Sequence, residues 1–335
     1  MTEIAVSDSA PTPAETAALF DAAFAGLAHI LLAVSGGADS TAMLALAAQW
    51  AQARGGVRLS VATVDQGLRP EAADEAGRVA ALSARLGLPH AALDGRIEAG
   101  ARLEERARAA RYAALEAHAA AIGADGLATA HTLDDQAETV LMRLAAGSGP
   151  AGLAAMRPHR RREGGLVHAR PLLSVPRRRL IAALQARGMT WAEDPMNADP
   201  AFLRARLRAA RAVLEAEGLT AERLGLLAAR MARLDEAAEA AVDAAAAAHL
   251  TLGEERAALD AGAAALPAEL RLRLLGRAVA AVAGDAPVRL DRLERLHDRI
   301  ADEPAGAATL AGVRIAWRNG AVDIAPAPPR RPRGG

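Results

Sequence analysis

Five apolar residues, Ile30, Leu31, Leu32, Ala33 and Val34, run without a break and end at a pair of glycines, Gly36 and Gly37. A run that short, bounded by glycine, predicts a strand buried on both faces. Beyond the glycines, Met43, Leu44, Leu46 and Ala47 recur at helical spacing. The unit therefore reads as strand, Gly-rich turn, helix. The alternation continues with a strand over 59–65, a helix over 71–86, a short strand over 90–93, a long helix over 101–122 and a strand over 126–130. A further helix starts at Thr132, and an amphipathic helix over 14–26 precedes the whole series. Strands alternating with helices predict an α/β fold, a doubly wound parallel sheet with helices on both faces.

The pattern changes after about residue 214. Ala and Leu periodicity runs on to 300, with breaks near Gly218, Gly253, Pro267 and Gly284. Asn319-Gly320 between two alternating runs, 313–317 and 321–324, predicts a β-hairpin. The Pro/Arg-rich stretch 326–335 reads as a disordered tail. The expected organisation is an N-terminal leader helix over 1–27, an α/β unit over 28–213, a smaller mainly helical unit ending in a β-hairpin over 214–325, and the tail. No fixed-period repeat is present.

Composition narrows the chemistry. At 335 residues the chain is long enough for two cores, and 52% hydrophobic with 2% aromatic content means cores of Ala, Leu and Val. Cysteine is absent, which excludes disulfides, thiolate metal sites, iron–sulfur clusters and a catalytic thiol. Residues 1–29 lack the form of a signal peptide and no apolar run approaches a membrane span, so a soluble cytoplasmic protein is expected. The net charge of +0 conceals a segregated distribution: residues 151–215 hold 13 Arg against 5 acidic residues, whereas 1–150 hold 11 Arg against 18. One basic segment in a neutral chain suits a single face that meets a polyanion.

Ser35-Gly36-Gly37-Ala38-Asp39-Ser40 is the first candidate site. Two glycines let backbone N–H groups turn toward an anion, and the following helix adds its own free N–H groups and positive dipole end. Ser35 and Ser40 offer hydroxyls, and Asp39 can hold a divalent cation against phosphates. The loop is not a Walker A motif, which needs a lysine after its last glycine; every basic residue here is Arg. Against phosphate binding stands the plainer reading of an ordinary Gly-Gly strand-to-helix turn. Asp65 lies in a second turn at a strand's carboxyl end, where open α/β sheets bind ligands.

His131, Asp134, Asp135 and Glu138 follow another strand. Thr132 with Asp135 is a helix-start pattern, and the spacing gathers the acids on one side of the helix. They either form a site or merely suit the helix dipole, and His131 is either a site residue or a bonded strand-end residue. Arg204, Arg206, Arg208 and Arg211 crowd one helix and are either a solvated face or phosphate contacts; the charge of the segment favours phosphate.

The Ser35–Ser40 loop resembles the PP-loop signature of ATP pyrophosphatases. Val64-Asp65-Gln66-Gly67-Leu68-Arg69, the 104–112 helix, His131 to Thr139, Gly147-Ser148-Gly149, Arg170-Pro171-Leu172-Leu173 and 191–208 follow in the order found in tRNA(Ile)-lysidine synthetases, a resemblance covering roughly 28–215. Gln66 stands where that family usually has His, and Ala205 where it usually has Asn beside Arg206. The resemblance implies the PP-loop (adenine nucleotide α-hydrolase-like) fold and a two-step reaction. ATP adenylates the C2 oxygen of the wobble cytidine of tRNA(Ile), and the ε-amine of free L-lysine then displaces AMP. It implies ATP binding by Ser35, Gly36, Gly37, Ala38, Asp39, Ser40, Asp65 and His131, with Mg²⁺ on Asp39. Catalysis falls to Asp39, Arg111, Asp135 and Glu138. Lysine binding falls to Asp135 and Glu138, and tRNA anticodon-loop contacts to Arg204, Arg206 and Arg208. No membrane or protein partner is implied, and a homodimer stays open. Two other readings remain: a PP-loop ligase adenylating a small-molecule carboxylate or amide, and a non-catalytic nucleotide-dependent RNA-binding module.

Overall fold

The computed structural model describes residues 8–67, 72–97, 100, 103–192, 203–284 and 286–328. Expectations for Leu68, Arg69, residues 193–202 and the end of the tail lie outside the described residues. The chain forms two compact units that divide between Arg230 and Met231.

In the first unit, α1 (Pro13–Ala23) opens with a capping box in which Thr12 and Glu15 satisfy each other's backbone N–H groups. There follow β1 (His29–Ala33), α2 (Ala38–Arg54), β2 (Arg58–Asp65), α3 (Ala72–Arg85) and β3 (His90–Asp94). Next come α4 (Leu103–Ala121), β4 (Gly126–Ala128), α5 (Leu133–Ala145) and the single turn α6 (Pro150–Leu153). The unit continues through β5 (His159–Arg161), β6 (Val167–Ala169), α7 (Arg177–Gln185), α8 (Leu203–Ala209) and α9 (Arg211–Ala216).

Its six-stranded sheet has the order β3-β2-β1-β4-β6-β5, parallel except for the edge strand β5. The chain runs outward from β1 to β3, then returns to pair β4 on the other side of β1, with Ile30 opposite both Leu59 and Gly126. The order reverses at the β1/β4 boundary, the place where open α/β sheets bind ligands beyond their carboxyl ends. β1 is buried on both faces, as its unbroken apolar run requires. Ile30 and Leu32 pack with Phe20, Met43, Trp50 and Leu180, while Leu31 faces Tyr112, Leu115 and Leu127. Each of those three β1 side chains is fully buried, worth roughly 1.5–3 kcal/mol apiece relative to exposure. Gly126 lets β4 come this close: a Cβ there would meet Leu27 Cδ1 at 2.8 Å and Ile30 Cγ1 at 3.2 Å.

Two local expectations change. The basic stretch 157–162, expected as a loop, contains β5, paired antiparallel to β6 with His159 opposite Ala169. Its three residues are too few to show a period. The strand expected over 126–130 stops at Ala128, leaving Thr129 and His131 in the turn above it.

Beyond Arg230, the rest of α10 (Ala221–His249) is followed by β7 (Leu250–Leu252), β8 (Ala257–Leu259), α11 (Ala268–Ala283) and α12 (Leu290–Asp302). The unit ends in β9 (Ala305–Leu310), β10 (Val313–Arg318) and β11 (Ala321–Pro326). The expected hairpin is present: Arg318 pairs with Ala321, and Asn319 and Gly320 take φ of 51° and 84°, the positive pair that a two-residue hairpin turn needs. It is the centre of a five-stranded antiparallel sheet, order β7-β8-β11-β10-β9. Ile315, Trp317, Val322 and Ile324 pack on Leu274, Leu275 and Leu296. Gly306 makes room for this core, since a Cβ there would lie 2.3 Å from the Trp317 ring. Among the described residues no helix is long and apolar enough to cross a membrane.

Candidate active site

The Gly-rich loop sits at the carboxyl end of β1. Gly36 has φ +87°, a conformation only glycine takes without strain, and its carbonyl accepts from Ala192 N at 2.9 Å. Gly37 is the N-cap of α2 and offers no side chain to the first-turn N–H groups, so those donors and the dipole face outward for an anion. Ala38 is buried as the first residue of the helix. Ser40 Oγ donates to Gly37 O at 3.1 Å and lies 3.2 Å from both Ser35 N and Ser35 Oγ. Ser40 thus braces the loop, and Ser35 is the more exposed hydroxyl.

Asp39 follows in the first turn of α2. Its Oδ1 is buried and accepts no hydrogen bond, with Arg177 Nε 3.5 Å away. Burial lifts its carboxyl to about 6; Arg177 and Arg208 oppose the rise, and the neighbouring charges of Asp135 and Asp134 add to it. An unpaired carboxylate oxygen beside an anion-binding loop fits a hard divalent cation, which takes one or two carboxylates and completes its shell from phosphate and water.

The acids on α5 stand on the other side of the switch point. Thr132 caps the helix: its Oγ1 accepts from Asp135 N at 3.3 Å, and Asp135 Oδ2 accepts from Thr132 N at 2.9 Å and from its hydroxyl at 3.0 Å. Asp134 Oδ2 accepts from Arg177 N at 2.7 Å, tying the start of α7 to the start of α5, and its other oxygen pairs with Arg211. Glu138 is buried. Arg208 bonds it at two points, Nε to Oε1 at 2.5 Å and Nη2 to Oε2 at 3.2 Å, and also reaches Asp135 Oδ1 at 3.4 Å. Arg204 Nε lies 3.1 Å from Glu138 Oε2. Burial nonetheless holds the Glu138 carboxyl above the usual range.

A second group of arginines has few acids near it. Arg108, Arg111 and Arg162 lie over the Tyr112 ring, 5.2, 5.5 and 4.4 Å from its centroid, and Arg162 pairs with Glu116 at 3.1 Å. Burial lowers Arg111 from its usual range, with Arg108 and Arg204 adding repulsion. His131 Nδ1 is 2.9 Å from Thr129 Oγ1. Burial, then the charges of Arg170, Arg108, Arg111 and Arg204, push its imidazole down to about 3.

The structure therefore brings Asp39, Asp135, Glu138 and Arg208 into one electrostatic cluster, and His131, Arg111 and Arg204 into an adjoining one. It joins the two readings of the acids, since Asp135 is both cap and ion partner. Asp65 stands elsewhere. Its Oδ1 holds the Gly67 turn at 2.8 Å and its Oδ2 meets the exposed Arg96 at 3.1 Å; the Gly67 N–H and then Arg96 lower its carboxyl. Arg204 and Arg208, expected as phosphate contacts, turn to Glu138, while Arg206 is exposed. Sequence reading missed Arg177 beside Asp39 and Thr129 beside His131. Pro176 at a helix start signals Arg177; no local pattern marks Thr129.

A PP-loop domain family matches residues 13–215. The chain is 52% identical to the tRNA(Ile)-lysidine synthase of Methylobacterium sp. (strain 4-46), with 90% of each chain covered. It is 45% identical to the tRNA(Ile)-lysidine synthase of Bradyrhizobium sp. (strain BTAi1), with 98% of each covered. Among solved structures, the U34-tRNA thiolase NcsA of Methanococcus maripaludis matches with a TM-score of 0.55 at 18% identity, over 67% of this chain and 79% of that one. At that identity the likeness is one of fold.

Proposed function

This chain belongs to the tRNA(Ile)-lysidine synthase family of PP-loop proteins, and from that premise we propose how its residues divide the work. The activity is that of an ATP-dependent ligase forming a C–N bond on tRNA(Ile). In the first step the C2 oxygen of the wobble cytidine attacks the α-phosphorus of ATP and pyrophosphate leaves. In the second, the ε-amine of free lysine attacks C2, the C–O bond breaks and AMP leaves.

The observation that carries this division is the meeting of the Gly-rich loop and the α5 acids, with Asp39 feeling the charges of Asp134 and Asp135. A phosphate-binding loop and a set of cation-binding carboxylates then serve one reaction centre. The backbone N–H groups of 36–40 and the Ser35 hydroxyl receive the phosphates. Asp39 Oδ1 is the oxygen for Mg²⁺, which supplies charge neutralisation for departing pyrophosphate. Arg111, held among cations with little acid to neutralise it, steadies charge on the α-phosphate. Glu138 and Asp135 receive the lysine ammonium at the place where they bind Arg208, and take its proton before attack. A cytidine must be unstacked for its C2 to be reached, which suits an anticodon-loop base. The exposed arginines of 157–162 and Arg206 supply contacts to RNA phosphates. The tRNA substrate implies a cytoplasmic protein.

Isotope exchange between pyrophosphate and ATP tests the first step alone. Exchange that requires tRNA(Ile), proceeds without lysine and disappears in Asp39→Ala supports this reading. Exchange driven by a free carboxylate without tRNA overturns it in favour of a small-molecule ligase.

A further inference from the structure

Behind His131 a line of hydrogen bonds runs into the core. His131 Nδ1 is 2.9 Å from Thr129 Oγ1, Thr129 Oγ1 is 2.8 Å from His168 Nε2, and His168 Nδ1 is 3.4 Å from Arg170 Nη2. His168 is wholly buried, with the Tyr112 ring 5.4 Å away. Arg170 is buried as well and fixed by a 2.7 Å bond to Arg157 O.

The direction of the line follows from its inner end. A guanidinium only donates, so His168 Nδ1 accepts. A neutral imidazole carries one proton, which puts that of His168 on Nε2, where it donates to Thr129 Oγ1. The threonine has one proton of its own and gives it to His131 Nδ1, so the proton of His131 resides on Nε2. Reversing the line would set an N–H of His168 against the N–H of Arg170, two donors and no acceptor. Both rings are neutral. Burial and then Arg170 push His168 down to about 2, and His131 falls to about 3 under burial and the charges of Arg170, Arg108, Arg111 and Arg204.

We propose that Arg170, His168 and Thr129 are positioning residues that lock His131 as its Nε2–H tautomer, making His131 a neutral hydrogen-bond donor to an oxygen acceptor of the bound nucleotide. This rests on the reading of His131 as part of the ligase site and deepens it. A ring whose outer nitrogen carries a proton takes no proton from lysine or water; that work stays with the carboxylates. It offers one directed N–H to an oxygen that gains charge as the phosphoryl group moves. Among the described residues His131 Nε2 makes no hydrogen bond, which leaves it for a ligand. The lock explains why a threonine is needed at the end of β4: a hydroxyl both accepts and donates, so it alone can pass the polarity set by Arg170 from one ring to the other.

Nitrogen NMR of the full chain labelled in histidine, with His131 assigned by its loss in His131→Gln, reads the tautomer directly. A protonated Nε2 and an unprotonated Nδ1, unchanged between about pH 5.5 and pH 8, support the lock. A proton on Nδ1, or titration of His131 in that interval, overturns it. Thr129→Val keeps the shape and breaks the line, while Thr129→Ser restores the hydroxyl. The expected result is a kcat loss of roughly tenfold for tRNA-dependent adenylation in the valine variant, with ATP KM changed less, and recovery in the serine variant. Equal turnover in wild type and Thr129→Val overturns the proposal. The locked tautomer in a chain that fails to modify tRNA supports the lock and overturns only the ligase reading on which its use rests.

Discussion

Arg208 and Glu138, 70 positions apart in the chain, form a two-point ion pair, Nε to Oε1 at 2.5 Å and Nη2 to Oε2 at 3.2 Å. The pair closes over the carboxylate group assigned to the lysine ammonium. Arg208 thus marks the position of a cation in this cluster, and lysine must take over contacts that the arginine holds. Glu138→Gln removes one charge-assisted contact, worth about 1.5–3 kcal/mol. The expected outcome is a lysine KM raised on the order of tenfold to hundredfold, with ATP and tRNA affinities retained. The melt should fall too, because Arg208 loses its main partner. An unchanged KM beside a lowered melt would restrict Glu138 to holding α8.

Asp39 gives a prediction with a definite sign. Its carboxyl titrates near 6 in the folded chain against an ordinary 3.8, chiefly through burial. A raised folded value means that the contribution of Asp39 to stability is full below about 3.8 and is lost as pH rises through about 6. Without nucleotide and metal, Asp39→Asn should therefore melt higher than wild type at pH 7.5, by on the order of 1–3 kcal/mol, and the two should converge near pH 4. Turnover behaves oppositely, with an acid limb near pH 6 in wild type and none left to measure in the variant. A lower melt for Asp39→Asn at pH 7.5 would contradict the burial argument.

Thr132→Ala removes the cap shared with Asp135. The expected cost is about 1 kcal/mol, which in a unit of this size moves the melting temperature by about 2–4 °C. Asp135 loses a donor that orients it, so lysine KM should rise with the loss of stability. A KM that stays fixed would confine Asp135 to its capping role.

The basic segment is tested through salt. Arg160 and Arg161 are exposed on the edge strand β5, whereas Arg204 and Arg208 are engaged with Glu138. Arg160→Ser with Arg161→Ser should reduce the slope of log affinity for tRNA against log salt by up to about two units. ATP binding should be untouched. An unaltered slope would move the RNA surface away from this edge.

Legibility in the sequence tracks the distance over which each feature is determined. The Ser35–Ser40 loop, the Thr132–Asp135 cap and the Asn319-Gly320 turn are set within a few residues, and all three stand where the pattern puts them. β1 was readable because burial on both faces leaves an unbroken apolar run. β5, β7 and β8 are three residues each, shorter than one period of any pattern. β9, Ala-Gly-Ala-Ala-Thr-Leu, owes its place to its pairing with β10 and to room made for Trp317. In the site, the residue types were legible and the partnerships were not. Nothing local tells Arg208 to seek Glu138 in preference to a phosphate, and nothing near Thr129 announces His168, 39 positions away. Those pairings are made by the sheet order.

Transfer of labelled lysine to a tRNA(Ile) transcript is the decisive measurement. With ATP and Mg²⁺ present, lysine should become covalently fixed to the RNA in step with equal amounts of AMP and pyrophosphate. Asp39→Ala should abolish all three products, and Glu138→Gln at low lysine should release AMP without fixing lysine. Lysine that stays free while wild-type enzyme converts ATP to AMP, or AMP formation indifferent to tRNA, would contradict the assignment of the Gly-rich loop and the α5 carboxylates to one RNA-ligating site.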